Sequence, residues 1–337
     1  MEHPSFDKPT AGATRFNTDS SHLEIYDGNQ WTTILSTSPE QQTGGTRGLV
    51  GGGYDGGSYI KNIDYFNVES TGNAEDFGDM QNTSGWLGAL ADRTRGIFLA
   101  DGSAGGGEDN CSYVTISTLG NAQTFGNLTT THTYFSGLAD RTRGVRGGGY
   151  SSTDTIDYCT IQSTGDFIDF GNLTASRLTH GCGVSSPTRG VWGGGDLYNP
   201  STNATNTVDY ITISTTGNAS DFGDLTVARK AVAGCANATR GVWSGGYNPT
   251  YVNTMDYLTL ATLGNAIDFG DSTWTGAYKS GASSPTRGTW SGGRIPGDRR
   301  NTIDYSQIMS RGNSTDFGDL VSNHDGAGSC SNGHGGL

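Results

Sequence analysis

Six arginines recur in one local setting, and they are the first candidates for chemistry. Each stands in a Thr-Arg-Gly triplet, at Arg47, Arg95, Arg143, Arg189, Arg240 and Arg287, at intervals of 48, 48, 46, 51 and 47 residues. Guanidiniums repeated in this way could form a ring that holds an anion through forked donors. A residue present in every repeat more often serves the repeat itself. Two acidic series stand ready as partners: Asp64, Asp157, Asp209, Asp256 and Asp304, and Asp76, Asp169, Asp221, Asp268 and Asp316. Charges between packed elements must be paired, so these carboxylates are the expected partners of the arginines.

Other reactive residue types form no recognisable set. The histidines are His3, His22, His132, His180, His324 and His334, and no pair has metal-ligand spacing. His132 and His180 fall on entry to the first strand of successive repeats, the one place where histidines would converge on a metal. Asp101, Glu108 and Asp109 suggest calcium, but no Asp-x-Asp-x-Asp-Gly loop contains them. Cys111, Cys159, Cys182, Cys235 and Cys330 are odd in number, form no C-x-x-C and read as buried filler. Acidic residues are plentiful, yet nothing marks two of them as a glycoside-hydrolysing pair. Sialidase-type Asp boxes are missing, and no Tyr/Cys/His set suits copper. The chain therefore reads as a non-enzyme, with no catalytic residue, no metal and no cofactor.

The elements that position these residues are repeats. Thr239–Asp271 shows one clearly: Thr-Arg-Gly-Val-Trp-Ser-Gly-Gly, a polar loop, Met-Asp-Tyr-Leu-Thr-Leu, then Leu-Gly-Asn-Ala-Ile-Asp-Phe-Gly-Asp. A period near 50 is that of kelch-type propeller blades. Helical periodicity is absent, and each repeat reads as four strands. In this repeat they are small-residue-rich Ala231–Cys235, then Gly241–Gly246, Met255–Leu260 and Ile267–Gly270. The first repeat lacks the small-residue strand, and the tail 325–332 matches Ala231–Asn237, so the tail is expected to supply it. Gly326–Asn332 should then pair beside Leu49–Gly53. The predicted fold class is all-β: a six-bladed kelch-like β-propeller over residues 46–337, closed by the C-terminal strand, behind a small N-terminal β-meander in residues 1–45. The second repeat departs from the others. It has Leu99-Ala100 for Gly-Gly, Ser112 for the third-strand Asp and Thr124 for the fourth-strand Asp.

Composition narrows the partners. A formal charge of −13 argues against nucleic acid and anionic membranes. No run of about 18 apolar residues spans a membrane, and the start Met1-Glu2-His3-Pro4-Ser5 shows no signal peptide. Residues 1–13 read as a polar arm and 36–45 as a Ser/Thr/Gln/Gly linker. Between them, 14–35 alternate apolar and polar with a hairpin signal at Asp27-Gly28. Three strands of that size cannot be stable alone. Phe16, Ile25, Tyr26 and Trp31 are therefore expected to contact another chain.

The segment Arg15-Phe16-Asn17, Leu23-Glu24-Ile25-Tyr26, Asp27-Gly28, Trp31 resembles a short module of tail-fibre and other virion proteins of tailed phages. The repeats, with Thr-Arg-Gly, Gly-Gly, Asp-Tyr and Phe-Gly at matching places, resemble kelch-like repeats of virion proteins from phages of marine bacteria. The resemblance implies a structural protein on the virion surface, of fibre or capsid-decoration type, that is a homotrimer and contacts other virion proteins through residues 1–35. Its ligand would be a host-surface glycan or protein, or a neighbouring virion protein. The alternatives are a fibre-borne polysaccharide-degrading enzyme and a mechanical decoration without ligand. The loops joining second and third strands vary, and are rich in Tyr, Arg and Pro. Tyr54, Tyr59, Tyr198, Tyr247, Tyr251, Arg294, Arg299 and Arg300 are the expected binding residues there.

Overall fold

The computed structural model describes residues 9–17, 22–33, 46–101, 108–150, 153–198 and 202–337, with the backbone alone at His22, Tyr198 and Thr202. The first eight residues and the 36–45 linker lie outside the described residues. The chain divides into two units, 1–42 and 43–337. Among the described residues there are strands and no helices.

The first unit is an antiparallel meander of β1 (Thr14–Asn17), β2 (His22–Tyr26) and β3 (Trp31–Thr33). Asp27 closes the β2–β3 turn by accepting the amides of Asn29 and Gln30. These bonds hold its carboxyl below the usual carboxylate range. Register sorts the side chains into two sets. Arg15 donates to Glu24 at 2.8 Å and lies 4.3 Å from the Trp31 ring centre, which in turn packs on buried Tyr26. Phe16, Leu23 and Ile25 fall on the opposite face and are exposed.

The second unit holds six four-stranded antiparallel sheets, one per repeat. The fifth runs Ala233–Ala236, Arg240–Ser244, Thr254–Thr259, Ile267–Asp271, within two residues of the sequence expectation. The first sheet takes its inner strand from the far end of the chain. Gly328–Ser331 pairs with Arg47–Gly51, Cys330 opposite Leu49. The remaining inner strands are Gly88–Ala91, Ser136–Ala139, Gly183–Ser185 and Ser280–Ser283. Each inner strand packs on the next in order, and Gly328–Ser331 packs on both Ser280–Ser283 and Gly88–Ala91. Small side chains allow this approach. Serine hydroxyls bridge several neighbours, as where Ser283 Oγ donates to Ala236 O and Ser331 Oγ to Ser283 O. All six inner strands border one cavity of about 50 Å³.

The outer strands are not free edges. In every repeat the Gly of the turn before the fourth strand donates its amide to the Phe carbonyl of the preceding sheet's outer strand. Gly264 to Phe222 (2.9 Å), Gly312 to Phe269 (2.8 Å) and Gly72 to Phe317 (2.9 Å) are examples. The next residue, Asn or Asp, accepts an amide of that same strand, as Asn73 does from Asp319. The Phe-Gly motif is explained by this clamp. At Gly318 (φ 151°) an added Cβ would lie 2.3 Å from Gly72 O. Gly318→Ala should therefore push the clamp apart and cost about 3 kcal/mol, from lost backbone bonds and strain together. A thermal melt checks this, and an unchanged midpoint refutes it.

The second repeat's departures are compensated locally. Ala100 takes the left-handed conformation (φ 58°) that glycine takes in the other sheets. Asp101, buried, accepts the amides of Gln81 and Asn82. In other sheets a third-strand Asp does this, as Asp209 accepts Thr174 N. Asp101 thus stands in for the carboxylate missing at Ser112, a structural duty in place of the calcium role its sequence suggested.

Candidate functional site

The recurring arginines do not pair with the recurring aspartates. Each guanidinium lies over the third-strand tyrosine of its own sheet, at 4.2 to 5.1 Å from the ring centre. Each also donates Nη1 to a carbonyl at the end of the next sheet's third strand, as Arg47 to Ile116 O and Arg240 to Ile308 O. Register is the reason. Arg47 shares a face with Leu49 and, across the ladder, Tyr65, while Asp64 points to the other face. The arginines are staples between sheets, held by cation–π contact and carbonyls.

The aspartates have other cations. Arg146 sits directly across the ladder from Asp157 and pairs with it at 2.5 Å. Arg177 pairs with Asp209 (3.1 Å) and Arg229 with Asp256 (2.7 Å), all fully buried. Lys279 serves Asp304 at 3.6 Å, and burial lowers its ammonium to about 8. Asp64 has no cation beside it among the described residues. It accepts Val321 N, and burial raises it to about 6. All five cysteines are free and buried, and burial raises their thiols.

Within each sheet, strand alternation puts two features at the same end: the loop joining second and third strands, and the residue that enters the inner strand. At that entry stand Trp86, Tyr134, His180, Ala231, Tyr278 and Gly326, one per repeat. All six have left-handed backbone, with φ of 59°, 62°, 37°, 55°, 58° and 68°. This conformation turns five of the six amides toward the entry residue of a neighbouring repeat. Trp86 N donates to Gly326 O, Tyr134 N to Trp86 O, His180 N to Tyr134 O, Tyr278 N to Ala231 O, and Gly326 N to Tyr278 O. Four of the six carry rings, and the rings touch. Trp86 stacks on Tyr134 (5.1 Å) and meets Tyr278 edge-on (5.0 Å), and His180 packs on both tyrosines (4.6 and 5.2 Å). The cluster is half-buried. Burial raises the Tyr134 phenol, raises Tyr278 to about 12 and lowers His180 to about 3, so all three are neutral near pH 7.

Histidine convergence on a metal is not what forms here. His180 occupies the entry position, but Tyr134 is its counterpart, and His132 falls two residues earlier. No group of metal-ligating side chains occurs among the described residues. The aromatic entry position escaped sequence reading because Trp, Tyr, His, Ala and Gly share no chemistry. The usable signal was a ring two or three residues before four of the six small-residue strands.

The loop residues named from sequence divide by contact. Tyr54 and Tyr59 pair across a one-bridge hairpin (5.1 Å), and Tyr247 and Tyr251 do the same (5.1 Å). Arg299 lies 4.6 Å over Tyr54 and donates to Asp325 Oδ1 at 3.0 Å, joining the sixth repeat's loop to the first sheet. Arg294 is half-buried and Arg300 exposed. Tyr198 ends a long second strand, Arg189–Tyr198, and its side chain lies outside the described residues. At the opposite end, the C-terminal residues meet the ends of inner strands: His334 Nε2 contacts Ala91 O at 2.6 Å and its Nδ1 lies 3.4 Å from Ser185 Oγ, while Asn332 Oδ1 accepts the Arg47 amide.

No protein-family model matches the chain, and no curated protein matches it.

Proposed function

We propose that the six sheets are blades of a kelch-like β-propeller, and that the chain is a non-enzymatic display protein on a phage particle. It recognises the host surface through the end that carries the entry-position rings and the variable loops. The observation that carries this reading is the aromatic side chain on left-handed backbone at four of six equivalent positions. Left-handed backbone costs a non-glycine residue about 1–2 kcal/mol, and glycine would serve the backbone bonds equally well. Rings kept against that cost, beside loops rich in Tyr and Arg, suit contact with a partner. The order of the inner strands and their shared cavity support the propeller. The virion assignment rests on the sequence resemblance. The meander is the attachment module in this reading, with Phe16, Leu23 and Ile25 offering apolar area to other virion proteins or to two further copies.

Fluorescently labelled protein should bind whole host cells and compete with particle adsorption. Combined replacement of Tyr198, Tyr247, Tyr251, Arg294 and Arg300 by Ala should weaken that binding at least tenfold, with the melting midpoint nearly unchanged. Arg299 is left intact because it holds Asp325. Undiminished binding by a folded variant would defeat the reading.

A further inference from the structure

We propose that the entry-position ring is a saccharide-binding platform, with Trp86, Tyr134 and Tyr278 as its aromatic centre and Asp325, Asp196 and Arg294 as hydrogen-bonding groups at its border. The inference rests on the recognition reading above and names the ligand class for the same end of the molecule.

Three observations converge. The first is the strained backbone under four rings in a chain with 55 glycines. Gly326 shows that glycine fits this position. The second is a pair of incompletely used carboxylates. Asp325 (1% exposed) receives Arg299 on Oδ1, and Asp196 (4% exposed) receives Lys230 on Oδ2 at 2.8 Å. Among the described residues, Asp325 Oδ2 and Asp196 Oδ1 accept no hydrogen bond. Buried polar atoms normally have partners, so each such oxygen asks for a donor. The third is proximity. Arg294 bridges Ala277, the residue before Tyr278; Asp325 precedes Gly326, whose amide donates to Tyr278 O; and Asp196 bridges Leu178, two residues before His180, whose ring packs on Tyr278.

A saccharide matches this set. Its C–H faces pack on aromatic rings, and its hydroxyls donate to carboxylate oxygens and accept from guanidinium. Other classes fit less well. A peptide that binds by strand addition needs an open sheet edge, but inner strands pack on each other and outer strands are clamped. A nucleic acid would meet a net charge of −13.

The test uses the full chain on a printed array of bacterial oligosaccharides, with each hit titrated by calorimetry and by tryptophan fluorescence. The expected result is at least one retained saccharide that shifts the emission, a shift lost in Trp86→Phe while binding stays within about threefold. Trp86→Gly and Tyr278→Gly should lower affinity more than tenfold, and glycine takes this backbone without steric cost. Ile267→Ser, on the exposed outer strand of the fifth sheet and away from the platform, should bind like the parent and serves as the folded control. Failure of every saccharide to bind, while labelled protein still adheres to cells, would overturn the platform and leave the recognition reading standing. Saccharide binding that survives both glycine changes would also overturn it and move the site to the loops. Absence of both saccharide binding and cell adhesion would remove the two readings together.

Discussion

Removal of the last twelve residues, Gly326–Leu337, should abolish cooperative folding of the second unit. The deletion takes the inner strand from the first sheet, so the pairings of Gly328, Ser329, Cys330 and Ser331 with Arg47–Gly51 are lost. The hydroxyl bridges from Ser329 to Gly281 O and from Ser331 to Ser283 O go with them. Leu49, Val50 and their neighbours, fully buried in the intact chain, would meet water along an open edge. Each lost hydrogen bond contributes about 1 kcal/mol and each exposed large apolar side chain about 1.5–3 kcal/mol. The combined loss is comparable with the 5–15 kcal/mol that usually separates folded from unfolded chains. Size-exclusion chromatography and circular dichroism check the outcome. A truncated chain that elutes and melts like the parent would contradict the pairing.

The second large effect separates two aspartates that occupy the same place in their repeats. Asp256→Asn leaves the Arg229 guanidinium buried without its counter-charge, beside Thr254 O and Gly245 O only. Breaking a buried pair in this way costs about 3–5 kcal/mol. Asp64→Asn should do the opposite. Its carboxylate is desolvated without a cation, and an Asn oxygen still accepts Val321 N. The sign follows from the raised carboxyl, about 6 in the folded protein against 3.8 unfolded. Asp64 contributes its stability below pH 3.8, and that contribution is lost as pH rises through 6. Asp64→Asn should therefore raise stability at pH 7 by on the order of 1–3 kcal/mol, and the gain should shrink toward pH 4. Denaturant titrations at pH 7 and pH 4 read both. Equal losses from the two substitutions, or a pH-independent effect of Asp64→Asn, would refute the assignment.

Much of the second unit was legible because its constraints are local and repeated six times. Thr-Arg-Gly, Asp-Tyr and Phe-Gly stand at one period, and small residues precede them, so strand order and the role of the C-terminal tail follow from alignment of the chain with itself. Side-chain partnership was less legible. Pairing Arg47 with Asp64 satisfies charge but ignores strand parity, which sends the two to opposite faces. Arg177 and Arg229 stand outside the repeated motifs, in the variable approach to the inner strand, and no periodic argument reaches them. The entry-position rings were hidden for a related reason. What is constant there is a backbone torsion, and residue type varies over it. Asp101 shows the same limit, since its carboxylate takes over a duty that alignment assigns to Ser112.

The pairing of Gly328–Ser331 with Arg47–Gly51 also has a consequence for synthesis. Arg47–Gly51 leaves the ribosome long before its partner strand is made. At roughly 5–20 residues per second the wait is about 15–55 s. Throughout that time the nascent chain carries an apolar strand with one side unpaired. The acidic outer strands, exposed from the start, give the unfinished chain like-charge repulsion from its neighbours on the same polysome. Yield should then depend on elongation rate and chaperone supply more strongly than the stability of the finished protein would suggest.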